Sequence, residues 1–281
     1  MLPPSPAELL RRRLVDRVLN VFNDTAAGEL RVVISDDALF VRHSPIRMVH
    51  ADVVSMGVGG IVSLLLQMLH PHALQGVLDH SDFRADMHGR LRRTSRFIAV
   101  TTFAHRDEAM AAIERVNRIH TQVNGALPDG TSYSARTPRT LAWVHLAEAT
   151  SFLEAYLRFV RPGMPPAEQD EYFRQFAVIA RALGADPVPE TRDEAARLLA
   201  EMRRDLGVSR ATREVAHLVL TQRPAGVPWP VQRALATAAV DLLPPFARTM
   251  LGLARPAATA MPARLAARTM SRTLRWAFRQ P

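Results

Sequence analysis

The sequence predicts an all-α fold, arranged as a single, mainly helical domain. Glycine is scarce, with 13 residues in a chain of 281, while alanine and leucine are abundant and runs of β-branched residues are few. This composition is typical of helices rather than strands. Apolar residues also recur at helical spacing along most of the chain, and a hydrophobic content of 48% is sufficient for a buried core.

The N-terminal region, residues 1–44, is predicted to hold one helix and an extended link. A proline-rich start precedes an amphipathic segment over 8–22, which predicts the first helix. Residues 30–43 have some strand character, but Asp36 and Asp37 interrupt it. We therefore expect either an extended connection or a short strand there.

The rest of the chain is predicted to be helical, with a core over 45–210 and C-terminal helices with a basic tail, packed on that core, over 211–281. Local signals mark several ends: carboxylates at Asp107 and Glu108 suit the positive N-terminus of a helix, and Asn124-Gly125 provides a stop. Apolar periodicity predicts helices over residues 53–69, 71–79, 86–103, 107–125, 138–161, 166–183, 190–206, 212–220 and 231–253, the last broken at Pro244-Pro245.

The apolar segment from Val53 to Leu69 is the one candidate membrane span. Its length is at the lower limit for crossing a bilayer, and it contains Gly57, Gly59 and Gly60. We expect instead a buried central helix that packs closely through those glycines.

The absence of two residue types excludes several kinds of chemistry. The chain has no cysteine, so it has no disulfides, no thiolate haem ligand and no cysteine nucleophile. It also has no lysine, since all 36 basic residues are arginine. Schiff-base catalysis by a lysine is therefore excluded.

The formal charge of +9 is concentrated toward the C-terminal end, because no acidic residue follows Asp241. One interpretation is a solvated, partly frayed basic tail. Another is contact with an anionic membrane surface or a partner, because apolar residues lie between the arginines. No nucleic-acid partner is expected, because no DNA- or RNA-binding motif is present. The apolar residues that lie between these C-terminal arginines are Leu265, Met270, Leu274, Trp276 and Phe278.

A cationic motif in the middle of the chain is the principal candidate site. Arg90, Arg93 and Thr94, in the segment GRLRRT, are spaced to project from one face of a helix. His120 follows, near the end of the next predicted helix. A porphyrin with two propionates and an iron would fit such a cationic face followed by a histidine. The ten histidines contain no HExxH pair, so a zinc or non-haem iron site is not indicated.

The motifs around these residues resemble the MpaB/rubber oxygenase catalytic-domain family, which includes the latex-clearing proteins. The resemblance covers roughly residues 45 to 185. It is carried by the GRLRRT and RIHTQVNG segments together with LLLQMLHPHALQGVLDHSDF (64–83), Pro-Asp-Gly (128–130), Tyr-Ser-Ala (133–135) and Trp-Val-His (143–145).

This resemblance implies a haem b pocket between the central helices. His120 corresponds to the histidine of the family's H-x-x-V-x-G motif, which binds the iron. Arg90 and Thr94 match its R-x-x-(K/R)-T pattern, which implies, together with Arg93, roles on the other haem face or at the propionates, where guanidinium groups pair well with carboxylates. His145 is expected to orient the pocket or to form a hydrogen bond with a propionate rather than to bind iron.

The chain also departs from the latex-clearing pattern. Those proteins have a lysine that can occupy the distal iron position, where this chain has Arg93, and an arginine has no free lone pair for a metal. An open or water-ligated distal position is implied. Residues 64–78 contain no carboxylate to act as a base, and Gln175 replaces a glutamate that is common in relatives. Cleavage of polyisoprene is therefore not the reaction that we expect.

The function predicted from the sequence is that of a cytoplasmic haem b-dependent oxygenase. It would act with dioxygen or peroxide on a hydrophobic, unsaturated small molecule, with Arg90, Arg93 and Thr94 as the catalytic residues. Two alternatives remain open at this point. One is a non-catalytic haem-binding or peroxide-handling protein, and the other is a peripheral membrane or interaction protein that uses the basic C-terminal end.

Overall fold

The computed structural model describes residues 8, 9, 13, 15, 29–83, 86–223, 227–254 and 257–278. The helix predicted over 8–22 falls almost wholly outside these residues. The described helices are α1 (Pro45–Ala51), α2 (Val53–Gln67), α3 (Pro71–His80), α4 (Met87–Phe103), α5 (Arg106–His120), α6 (Pro138–Phe159), α7 (Pro166–Ala182), α8 (Arg192–Met202), α9 (Arg210–Thr221), α10 (Trp229–Leu242), α11 (Pro245–Leu251) and α12 (Ala257–Phe278).

Only one small sheet occurs within the described ranges. Strands β1 (Asn124–Ala126) and β2 (Ser132–Ser134) pair antiparallel, with Gly125 opposite Tyr133. The helix predicted to run to residue 125 therefore ends earlier, at His120. A Cβ atom on Gly125 would lie 2.8 Å from the hydroxyl of Tyr133, so glycine allows the close approach of the two strands at this point. The all-α prediction is otherwise confirmed.

The segment before α1 is irregular, so the short strand considered over 30–43 is not formed. Its backbone bonds to helices instead of to another strand: the Ser35 amide donates to the carbonyl of Phe103, and the Arg106 amide donates to the carbonyl of Asp37. The guanidinium of Arg47 in turn donates to the carbonyls of Ser35 and Phe40. An extended link, the other expectation, describes this segment.

Helix α2 forms the centre of the core and packs against α6, α10 and α12. Its side chains from Leu64 to Leu66 are buried, and Trp143 of α6 is fully enclosed. Among the described residues, no single helix is long and apolar enough to span a membrane, although the pair α1 and α2, bent by 90°, satisfies length and composition together. The expectation that 53–69 forms a buried central helix is confirmed, with its end at Gln67.

Helix α2 approaches α6 closely at Gly59, and we predict that Gly59→Ala destabilises the fold. A Cβ atom at this position would lie 2.9 Å from Cδ1 of Phe152 and 3.0 Å from the carbonyl oxygen of Ser151. Overpacking of this kind costs about 2 kcal/mol of unfolding free energy. Gly60→Ala is the matched control, because nothing lies within 4 Å of its Cβ position and alanine favours a helix by about 1 kcal/mol. Equal urea midpoints for the two variants would contradict the prediction.

The interpretation of the C-terminal end as a frayed tail is wrong for residues 257–278, which form α12, although one face of this helix is exposed to solvent. Buried carboxylates on other elements hold this helix in place. Asp241 of α10 accepts two hydrogen bonds from Arg264, at 2.6 and 2.7 Å, and Asp52 accepts from Ser271 at 2.7 Å and from Arg275 at 2.9 Å. Part of the positive charge that the sequence places here is thus used in packing.

Candidate functional site

The cationic motif lies in the first half of α4. Asp86 caps this helix by accepting a hydrogen bond from the Gly89 amide at 2.8 Å. The same carboxylate lies 3.5 Å from Arg93, whose side chain is 63% exposed. Thr94 is also exposed, whereas Arg90 is only partly accessible. Arg90 is therefore the member of the triplet that turns toward the protein.

Arg90 keeps its charge without a partner within the part of the chain that the structure describes. Among the described residues, no carboxylate pairs with its guanidinium and no carbonyl accepts from it. Burial lowers its pKa first, and the nearby charge of Arg93 lowers it further. A partly buried cation of this kind is unfavourable unless an anion reaches it.

His120 is the last residue of α5, the helix that packs beside α4. Its Nδ1 atom is buried and has no hydrogen-bond partner among the described residues. The pKa of His120 is lowered, first by burial and then by the charge of Arg90. The imidazole is thus held neutral, with a lone pair available, and lies near enough to Arg90 to sense its charge.

These two residues fit a haem in their chemistry. Haem needs one protein ligand, because the porphyrin supplies four nitrogen donors, and a neutral imidazole can be that ligand. The described residues contain no group of three or more histidines and carboxylates that could hold a metal ion by themselves. A propionate would supply the anion that Arg90 lacks.

His145 lies in a different environment from His120. It is buried on α6, its ring is 4.8 Å edge-on from Phe176 of α7, and its Nε2 atom has no partner among the described residues. Burial lowers the pKa of His145 to about 3, with a smaller effect from Arg181. No hydrogen bond or ring contact joins it to Arg90 or His120 in the described regions.

Two buried polar groups near His145 were not singled out from the sequence. His50 of α1 bonds through Nδ1 to the hydroxyl of Thr102 at 2.9 Å and lies 5.1 Å from the same Phe176 ring. Part of Glu148 reaches the surface, yet its carboxyl is surrounded by protein, and this loss of hydration raises its pKa to about 7. A carboxylate within the apolar run from Ala142 to Ala149 of α6 was the signal that could have identified Glu148.

Two further positions from the family comparison have structural partners. The Gln175 side chain accepts a hydrogen bond from the Ile46 amide at 3.0 Å and donates to Glu171 at 2.8 Å, so it caps the start of α1. Asp79, the first carboxylate after the segment 64–78, accepts a hydrogen bond of 2.6 Å from Tyr133. Burial, followed by this bond, raises the pKa of Tyr133 to about 12. Asp79 thus holds the β-hairpin against α3.

The comparisons with known proteins identify the family. The model of the family described as "ER-bound oxygenase mpaB/B'/Rubber oxygenase, catalytic domain" matches residues 47–276, which extends well beyond the motif region and includes most of α12. No curated protein and no solved structure matched the chain. The match covers far more than half of the sequence, and the chain therefore belongs to the mpaB/rubber oxygenase catalytic-domain family.

Proposed function

We propose that this protein is a haem b-dependent oxygenase that acts with dioxygen or peroxide on a hydrophobic, unsaturated small molecule. One observation carries the proposal: among the described residues, the Nδ1 atom of His120 and the partly buried guanidinium of Arg90 both lack a partner, and the charge of Arg90 acts on the His120 imidazole. In a member of an oxygenase family, such a pair would supply a metal ligand and an anion-binding group.

His120 would be the protein ligand of the iron. Its lowered pKa keeps the ring unprotonated at neutral pH, so no proton has to leave before it binds a metal. Haem b, when bound, supplies the redox centre for reaction with dioxygen or peroxide. The helix end fixes the position of the ring, and the Val123 amide bonds back to the His120 carbonyl.

Arg90 would pair with a propionate, and Arg93 and Thr94 would extend the same polar edge toward solvent. Arg93 forms an exposed ion pair with Asp86. Because such surface pairs contribute little free energy, Arg93 could turn to a bound carboxylate instead. Arg93 has no lone pair to donate, so it would not compete with the oxidant for the iron of a bound haem. His145 lies against Phe176 on α7, and within the described ranges no hydrogen bond or ring contact links either ring to Arg90 or His120, so its part in orienting the pocket stays a prediction.

The substrate class rests on the family description, which includes rubber oxygenases, and rubber is an unsaturated hydrocarbon. The leucines of α2 that could have lined an apolar pocket lie in the packed core. They therefore do not distinguish one hydrophobic substrate from another. Oxygenation of a smaller lipophilic molecule fits the absence of a carboxylate from residues 64–78.

Titration of the purified protein with haemin tests the cofactor. We expect a saturable Soret band for the wild type and its loss, or a marked shift, for His120→Ala, with partial recovery when imidazole is added to fill the vacated position. His217→Ala is the matched control, because His217 is exposed on α9. A wild type that gives no Soret band, or a His120→Ala spectrum identical to that of the wild type, would overturn the assignment of His120.

Dioxygen consumption separates an oxygenase from a protein that only binds haem. The haem-loaded wild type is expected to consume dioxygen in step with loss of an unsaturated lipophilic substrate. A normal Soret band without such uptake, and without peroxide-driven turnover of the substrate, would favour the non-catalytic alternative. The spectrum and the uptake thus test the cofactor and the reaction separately.

A further inference from the structure

One face of α12 points outward and combines apolar side chains with arginines. Met261 is 67% exposed, Leu265 65% and Trp276 44%, and Arg268 and Arg272 are exposed between them. At 100° per residue these five positions lie within a single narrow stripe of the helix. We call Met261, Leu265, Arg268, Arg272 and Trp276 the α12 stripe.

The charges of the stripe are not neutralised by the part of the protein that the structure describes. Arg264 and Arg275, on the inner side of α12, are paired with Asp241 and Asp52. Arg268 donates only to the backbone carbonyl of Arg158, and Arg272 has no carboxylate partner among the described residues. The packing of α12 thus divides its arginines into an inner, neutralised set and an outer, charged set.

The apolar part of the face continues into an open groove of about 540 Å³ along α12. Leu265, Met270 and Leu274 contribute its apolar wall, and Thr269 and Thr273 lie between them. Exposed large apolar side chains at both ends of the stripe are typical of an interaction surface, and the cations in its centre favour an anionic partner. Apolar side chains that enter an interface while arginines reach outward to phosphates are typical of helices lying on membranes.

We propose that the α12 stripe docks the protein onto an anionic lipid surface. Arg268 and Arg272 would contact lipid phosphates, while Met261, Leu265 and Trp276 would enter the boundary between headgroups and acyl chains. A second copy of the chain fits less well, because a two-fold contact across the stripe would bring these arginines against each other. Nucleic acid would leave the three apolar side chains in water.

Vesicle sedimentation of the full chain tests this docking. The wild type is expected to sediment with vesicles of phosphatidylcholine mixed with phosphatidylserine, and much less with phosphatidylcholine alone. The double variant Arg268→Gln/Arg272→Gln should lower the partition coefficient roughly 30-fold, since each arginine near an anionic surface contributes a factor of about 5. Leu265→Gln/Trp276→Gln should also lower it, through the loss of apolar insertion.

The matched control removes the same charge elsewhere. Arg197 on α8 and Arg213 on α9 are exposed, and Arg197→Gln/Arg213→Gln should leave sedimentation nearly unchanged. A loss equal to that of the stripe variant would show nonspecific attraction by net charge and overturn the proposal. It would also be overturned by a wild type that does not bind the anionic vesicles, or by a dimer that Leu265→Gln dissociates. The exposed positions allow all variants to fold, which thermal melts verify.

Discussion

Acidification from pH 6.5 to pH 4.5 is expected to lower the free energy of unfolding by several kcal/mol. Burial lowers the pKa of His50 and of His145 from 6.5 to about 3, and that of His70 to about 4. In the unfolded chain these imidazoles take up protons below pH 6.5, whereas the folded protein excludes them. Their contribution is therefore fully present above pH 6.5 and is lost as the pH falls toward the folded values.

Glu148 acts in the opposite direction over the same range. Its pKa rises from 4.5 in the unfolded chain to about 7 in the folded protein, so its contribution is fully present below pH 4.5 and is lost as the pH rises to 7. The three imidazoles and the one carboxyl together make the free energy of unfolding change by roughly 3 kcal/mol per pH unit in this range. The lowered pKa values of His88 and His120 further decrease the free energy of unfolding at acidic pH.

Urea unfolding at pH 7, 6 and 5 measures this slope. In His145→Gln the slope should fall by about 1.4 kcal/mol per pH unit, because one titrating group is removed. His217→Gln is the matched control substitution, at an exposed position on α9. The prediction fails if His145→Gln and the wild type have parallel stability profiles. Any stability lost by His145→Gln at pH 7 changes the intercept and leaves this comparison intact.

Replacement of Asp52 by alanine is expected to lower the free energy of unfolding by about 3 kcal/mol, the second large effect. Asp52 is buried and accepts a hydrogen bond from the Ser55 amide at 2.9 Å, which caps α2. It also accepts from Ser271 and Arg275 of α12. The variant would lose the cap and leave the partly buried Arg275 without its counter-charge.

Two further variants separate the parts of this effect. Asp86→Ala removes a comparable cap, on α4, but Asp86 is exposed and its contact with Arg93 is a 3.5 Å surface pair, so a loss of about 1 kcal/mol is expected. Asp52→Asn keeps an acceptor for Ser55, removes the charge that faces Arg275 and replaces the carboxylate oxygen that accepts from Ser271 and Arg275 by an amide NH2 group. Chemical denaturation of all three should rank Asp52→Ala as the least stable. Equal losses for Asp52→Ala and Asp86→Ala would show that α12 does not depend on this contact.

The fold class and most helix ends could be predicted because their signals are local. Prolines at the first turn begin α3, α6 and α7, and a proline pair separates α10 from α11. Such signals act through backbone groups within a few residues. The hairpin after α5 was missed, since its Gly125 resembles an ordinary helix stop, and the tight contact with Tyr133 depends on a partner strand.

The candidate site could be predicted only in part. The motif selected Arg90 and His120 as candidates, and their roles stay predictions. The helical spacing alone does not distinguish Arg90 from Arg93 and Thr94, whereas in the folded protein only Arg90 is partly buried. Glu148 and His50 were not selected, because nothing in the neighbouring sequence reveals how far each group is removed from water. Burial depends on which helices meet, and those helices come from distant parts of the chain.

The sequence by itself determined that the chain is helical, where most helices end, and which arginines and histidine form the family motif. The tertiary structure decided which of these groups are enclosed: within the described ranges it left Arg90 and the Nδ1 atom of His120 without a partner, with the imidazole within reach of the charge of Arg90, and it placed His145 against Phe176. It also joined α12 to Asp52, more than two hundred residues away. Helix ends depend on hydrogen bonds between neighbours in sequence, whereas burial and charge neutralisation depend on contacts that form only when the helices pack.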